Sequence, residues 1–137
     1  MNDVVMLDTN ICSYIMRGAS QSLKSHLMNA RQDSLCISSI VLAEIEYGVA
    51  KSPKHQQAVN AFLKMVNIAE FDYSAAKHYG EIRHLLTAQG NIIGSNDLLI
   101  AAHSRSYGAV LVTNSMKKFA RVPGLQLENW VEPKFIS

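Results

Sequence analysis

Five short runs frame this chain: VVML at residues 4–7, SLCISS at 34–39, NIAEFD at 67–72, AVLVTN at 109–114 and LQLENW at 125–130. Segments of helical character separate the first four, and only a helical turn and VPG lie before the last. VVML is apolar throughout rather than alternating, as a strand buried on both faces must be. Strands alternating with helices predict an α/β fold, with a mainly parallel β-sheet of four to five strands between helical layers.

The helices follow from caps and breakers. A helix from about Asn10 to Arg17 stops at Gly18, and Ser20–Gln32 is expected to be a second. Ser38 and Ser39 cap a helix from Ile40 to about Ala50. Pro53 opens another, to about Met65, because proline suits a first helical turn. Tyr73–Ala88 places Ala75, Tyr79, Ile82 and Leu86 on one stripe. QGNIIGSND is a glycine-punctuated loop, DLLIAAHSRSY a helix ended by Gly108, and SMKKFA a helical turn.

The 137 residues suffice for one domain, expected to span 1–137, that buries about two-thirds of its unfolded surface. An apolar fraction of 48% and a mean hydropathy of +0.03 are those of a soluble globular protein. No run approaches the roughly 20 apolar residues of a membrane span. Asp3, with no basic region ahead of an apolar core, argues against a signal peptide, so a cytoplasmic location is expected. Cys12 and Cys36 have no metal or disulfide spacing and read as small core residues in a reducing compartment. The net charge of +2 and pI near 8.6 permit a polyanionic partner without requiring one.

In open α/β sheets, ligands sit beyond the carboxyl ends of the strands. Asp8 directly follows the first strand, and Asn114 and Ser115 follow the fourth. Glu44 lies at helical spacing from Ile37, Ile40, Val41 and Gly48, on a face the helix would bury. A carboxylate there needs a basic partner or a cation. Asp97 stands where GSND meets the apolar helix LLIAA, either stabilising its first turn or facing the same pocket. Three clustered carboxylates cannot all stay charged without a cation between them. Hard oxygen ligands with no Cys or His suit Mg²⁺ or Mn²⁺, which activate water and stabilise an in-line displacement at phosphorus. Glu81 flanks the long helix's apolar stripe and is expected to pair with Arg83 or Lys77. The five histidines have no partner at ligand spacing and are assigned surface or cap roles. There is no nucleophile elbow and no glycine-rich phosphate loop.

Four stretches, MLDTNICSYI, ISSIVLAEIEYG, IRHLLTAQGNIIGSNDLLIAAHS and LVTNSMKKFARVPGLQLENW, resemble in order and spacing the motifs of PIN-domain toxins of the VapC type. The resemblance runs from about Val4 to Trp130. It implies a PIN fold, a Mg²⁺- or Mn²⁺-dependent endoribonuclease that inhibits translation, a cognate VapB-type antitoxin and a toxin homodimer. Asp8, Glu44 and Asp97 match the family's metal-binding and catalytic acids. Thr9 and Asn10 match the tail of the first motif and are expected to hold the Asp8 carboxylate by hydrogen bonds. Thr113, Asn114 and Ser115 match the polar motif after the fourth strand. There this chain departs from the family: Ser115 stands where Asn or Asp is usual, and Lys118 where many members have an acidic residue before Phe119. A second ion would be held weakly, which favours a single metal.

The family implies a structured RNA cut at a single-stranded loop, with tRNA the leading choice and the initiator tRNA anticodon region the specific case. RNA phosphates would meet basic groups bordering the pocket, Arg17, Lys51, Lys54, Lys117, Lys118 and Arg121. An antitoxin would fill the groove beside the carboxylates and bring an Arg to them. The alternative is a catalytically weakened RNA-binding or regulatory PIN module, on account of Ser115. A phosphoaspartyl phosphohydrolase would want a second Asp where Asn10 stands, and a DNA flap nuclease would need duplex-binding elements for which this chain has no room.

Overall fold

The structure, a computed structural model, describes residues 4–131. Residues 1–3, with the Asp3 of the signal-peptide argument, and 132–137 at the end of the expected domain lie outside the described residues.

Five strands, β1 (Val5–Leu7), β2 (Leu35–Ser38), β3 (Asn67–Ala69), β4 (Val110–Val112) and β5 (Gln126–Glu128), form one sheet in the order β3-β2-β1-β4-β5. Every pairing is parallel. Met6, Leu7, Ile37 and Leu111 are fully buried, as central strands covered on both faces require. The chain leaves β1 toward β2 on one side and returns to β4 on the other, so the strand order switches beside β1. Such a switch opens a crevice at the strands' carboxyl ends. No helix among the described residues is long and apolar enough to cross a membrane.

Seven helices flank the sheet: α1 (Thr9–Arg17), α2 (Gln21–Asn29), α3 (Ser39–Lys51), α4 (Gln56–Leu63), α5 (Tyr73–Ala88), α6 (Ser95–Ser106) and α7 (Met116–Phe119). Gly18 ends α1 in the left-handed conformation, φ 63°, and its amide reaches back to the Tyr14 and Ile15 carbonyls. Ile82 and Leu86 of α5 are fully buried where α5 packs along α6.

Several boundaries differ from expectation. α1 begins at Thr9 because Asp8 itself caps it. The second helix ends at Asn29 rather than Gln32, since Ala30 turns extended and Gln32–Ser34 forms a separate 3-10 turn into β2. Pro53 opens a 3-10 turn, Pro53–His55, and the α-helix starts only at Gln56. α6 starts two residues before Asp97, and the third and fifth strands are each three residues long.

Candidate active site

The register of the sheet brings the site together. Leu7 pairs with Val112, and the Asp8 amide donates to the Val112 carbonyl at 3.2 Å, so Asp8 and Thr113 lie side by side past their strands. Asp8 is 5% exposed, and its Oδ1 accepts the Ile11 amide at 2.9 Å as the N-cap of α1. Burial pushes its pKa above the ordinary carboxylate value, and the nearby negative charge of Asp97 adds to this. The Thr113 hydroxyl, the Ile11 amide and the Lys118 ammonium pull the other way.

Glu44 reaches the same region from α3. Its two oxygens accept hydrogen bonds from the Thr9 hydroxyl and, at 2.8 Å, from the Asn96 side-chain amide. Both partners are neutral, so the basic partner considered for Glu44 is not what holds it. Asp97 lies in the first turn of α6 and pairs with Lys118, Nζ to Oδ2, at 2.7 Å; each side chain is 34% exposed. A Cβ on Gly94 would stand 3.4 Å from Asp97 Oδ2, in ordinary van der Waals contact with this carboxylate. Lys118 is carried on α7, whose neighbouring Phe119 is fully buried and fixes the short helix to the core.

Three expectations need correction. Thr9 holds Glu44 rather than Asp8, because α1 begins at Thr9 and its hydroxyl faces α3; Asn10 is exposed. The partners of the Asp8 carboxylate are the Ile11 amide and the Thr113 hydroxyl. Glu81 is not at the site. It pairs with Arg105, which also donates to His78 Nδ1 and to the Pro123 carbonyl, each at 2.9 Å, while Arg83 bonds the Tyr79 hydroxyl instead. His103 is no surface residue: it is 1% exposed, and its Nδ1 lies 2.7 Å from Ser38 Oγ.

The polar motif after β4 builds the floor of the pocket. Thr113 is fully buried and its hydroxyl accepts the Ser115 amide at 2.9 Å. Asn114 is exposed, donates to the Tyr14 hydroxyl at 3.4 Å and accepts from Asn129 at 3.3 Å. A cleft of about 360 Å³ runs from here past Ser115, Lys117, Lys118 and Arg121. A second, of about 370 Å³, lies between α1, α3 and α4 beside Glu44, lined by Thr9, Arg17, Glu44, Gly48 and His55 among others. Arg17 stacks over Tyr14 at 5.1 Å, Arg121 donates to the Ile92 carbonyl at 3.3 Å, and Lys51 lies over Tyr47 at 5.2 Å. Lys54 is exposed outside both linings.

Among the described residues, no three acidic, imidazole or thiol groups stand as a ready coordination shell, since Glu44 is held by Thr9 and Asn96 and Asp97 by Lys118. The donor set nevertheless suits a hard divalent cation: carboxylate oxygens with hydroxyl and amide neighbours. An ammonium already stands on Asp97. Cys12 lies close enough to feel Asp8 and Glu44, but burial keeps its thiol protonated well above the usual range, so it offers no thiolate.

The PIN-domain family model matches residues 5–125. The chain is 46% identical over 131 residues to Ribonuclease VapC2 of Rickettsia felis (strain ATCC VR-1525 / URRWXCal2), covering 93% of this chain and 98% of that relative. It is 41% identical over 128 residues to the tRNA(fMet)-specific endonuclease VapC of Shigella flexneri, covering 91% and 96%. Among solved structures, DNA-bound VapBC from Salmonella typhimurium superposes with a TM-score of 0.86 at 35% identity, and VapBC2 from Rickettsia felis bound to a promoter fragment with 0.84 at 42%. Both cover 93% of this chain and 98% of theirs. The match over residues 5–125 makes this chain a member of the PIN-domain family. Its identity to the VapC ribonucleases makes it a VapC-type member.

Proposed function

We propose that this chain is the ribonuclease toxin of a VapBC-type pair, a single catalytic domain that cuts tRNA with a Mg²⁺ or Mn²⁺ ion held by Asp8, Asp97 and Glu44. The observation that carries this is the buried Asp8 carboxylate, set at the switch point and near enough to Asp97 to feel its charge. The initiator tRNA is the favoured substrate, supported by the 41% identity to a relative named for tRNA(fMet). The bound ion supplies an activated water and stabilises charge at the phosphorus. Thr9 and Asn96 orient Glu44, and Thr113 and the Ile11 amide orient Asp8. Lys117, Arg121 and Arg17 meet the RNA phosphates from the two clefts. Because neither Ser115 nor Lys118 adds a negative charge, a single ion is the expected occupancy. A VapB-type antitoxin, supported by the VapBC structural neighbours, fills the groove beside the carboxylates. A homodimer is the expected assembly.

A second reading, an RNA-binding module with weakened catalysis, is favoured by one observation: the Lys118–Asp97 pair occupies a carboxylate the ion would use. Incubating the purified chain with total bacterial tRNA in Mg²⁺, Mn²⁺ or EDTA separates the two. Discrete fragments that need the metal support the nuclease; tRNA retained on the protein but left intact in every condition supports the module.

A further inference from the structure

Lys118 is the feature of the pocket that the proposed chemistry does not use. Its ammonium sits 2.7 Å from Asp97 Oδ2, and its charge is felt at Asp8 as well. The side chain is not a loose surface lysine that wandered in. It is preceded by the turn Thr113–Ser115, closed by the Ser115 amide on the Thr113 hydroxyl, and followed by the fully buried Phe119. The ammonium lies 5.3 Å from the Phe119 ring centroid, so the aromatic face holds the cation on its inner side. The backbone thus delivers a positive charge to the carboxylates from a fixed anchor.

A pocket of carboxylates in which one is buried is unfavourable without a counter-charge. The chain supplies one from its own α7. Both members of the pair are about a third exposed, which leaves the ion pair solvated and exchangeable rather than locked. A divalent cation carries twice the charge and can share its bond among several oxygens, which a lysine cannot.

Resting on the metal-site reading above, we propose that Lys118 is a resident counter-cation of the carboxylate pocket, which a divalent ion must displace from Asp97 in order to bind. The lysine keeps the metal-free site folded and lowers its affinity for metal. Displaced, its ammonium is left at the mouth of the cleft that Lys117 and Arg121 line, where a phosphate can take it up. Metal loading and phosphate binding are then coupled through one side chain.

The test is Mn²⁺ binding, measured by isothermal titration calorimetry on the full chain without RNA, for wild type and for Lys118→Met, Lys118→Arg and Asp97→Asn. Thermal melts without metal accompany the titrations. Lys118→Met is expected to tighten Mn²⁺ binding by about tenfold or more and to melt lower than wild type without metal but not with it. Lys118→Arg, which keeps the charge, is expected to stay within about threefold of wild type, and Asp97→Asn to lose binding. Should Lys118→Met misfold, Lys118→Gln serves as the neutral variant. Wild-type binding that is unchanged or weaker in the neutral variant, with Asp97→Asn still abolishing it, overturns the displacement and leaves the metal site standing. No Mn²⁺ binding by wild type or the neutral variant overturns the metal site and the displacement together.

Discussion

Asp8 Oδ1 accepts the Ile11 amide at 2.9 Å while burial pushes the carboxyl pKa upward. The same side chain caps α1 and, in the proposed function, also serves the cleavage site. Asparagine separates the two roles, because it is as good an N-cap as aspartate and carries no charge. Asp8→Asn is expected to retain the melting temperature within a few degrees and lose at least about a hundredfold in cleavage rate. Asp8→Ala should lose the same activity and also about 1 kcal/mol of stability, the usual worth of a side-chain cap. Equal melting curves for the two variants would show that the cap carries no weight here. The thiols give a second residue-level check. Cys36 is 4% exposed and burial pushes its pKa up to about 11, while Cys12 is fully buried and its thiol is also raised well above the ordinary value. Neither should react with a thiol reagent at neutral pH until the chain unfolds; labelling of the native protein within minutes would contradict their burial.

At the scale of elements, α7 is four residues long and Phe119 is its buried residue. Phe119→Ala removes the anchor and is expected to destabilise the fold by about 3–5 kcal/mol in urea unfolding. A loss under about 1 kcal/mol would mean that α7 is held by other contacts. The existence of α7, like that of the strands and the other α-helices, is legible from local pattern: apolar runs ending on polar residues, Ser38 as a cap, Gly18 and Gly108 as stops. Where each helix begins is less so. Periodicity reports which face is buried and says little about which amide first closes a turn, so the expected start of α6 at Asp97 is two residues late and the expected end of α2 at Gln32 runs three residues past Asn29. Two of the candidate acids stand out because they break a local rule, Glu44 on an apolar face and Asp8 at a strand end, whereas Asp97 is an ordinary helix-start residue singled out by the family motif. The partners of these acids do not stand out. Thr9 meets Glu44 across 35 positions, Asn96 meets it across 52, and Lys118 meets Asp97 across 21. Those meetings are set by the parallel register and have no signature in the neighbouring sequence. The burial of His103 is hidden for the same reason: IAAHS looks like a helix turning polar, yet one nitrogen of its buried imidazole meets Ser38 of β2, 65 positions away.

At the scale of the whole molecule, His103 joins α6, which bears Asp97, to the Ser38 cap of α3, which bears Glu44. Burial lowers its pKa, with Asp72 and the Glu70 backbone opposing. The unfolded chain binds this proton more readily than the folded one. The stability of the fold is therefore complete above the ordinary histidine pKa near 6.5 and falls as pH drops from there toward the lowered native value. His103→Gln should flatten the melting temperature between about pH 7 and pH 5; a wild-type curve already flat over that range would contradict the assignment. The sheet order matters more than any one of these contacts. Putting β1 at the centre, with β2 and β4 on either side, sets Asp8 and Thr113 side by side past their strands, and in the proposed site Glu44 of α3 and Asp97 of α6 join them. This proposed site is where RNA would be cut. The most direct measurement is the single-turnover rate of end-labelled initiator tRNA cleavage in Mn²⁺ by wild type, Asp8→Asn, Glu44→Gln and Asp97→Asn, each first shown by circular dichroism to be folded. A fall of at least about a hundredfold in all three variants, with the wild-type rate abolished by EDTA, is the predicted result. Folded variants that cut at the wild-type rate, or a wild-type rate indifferent to EDTA, would contradict it.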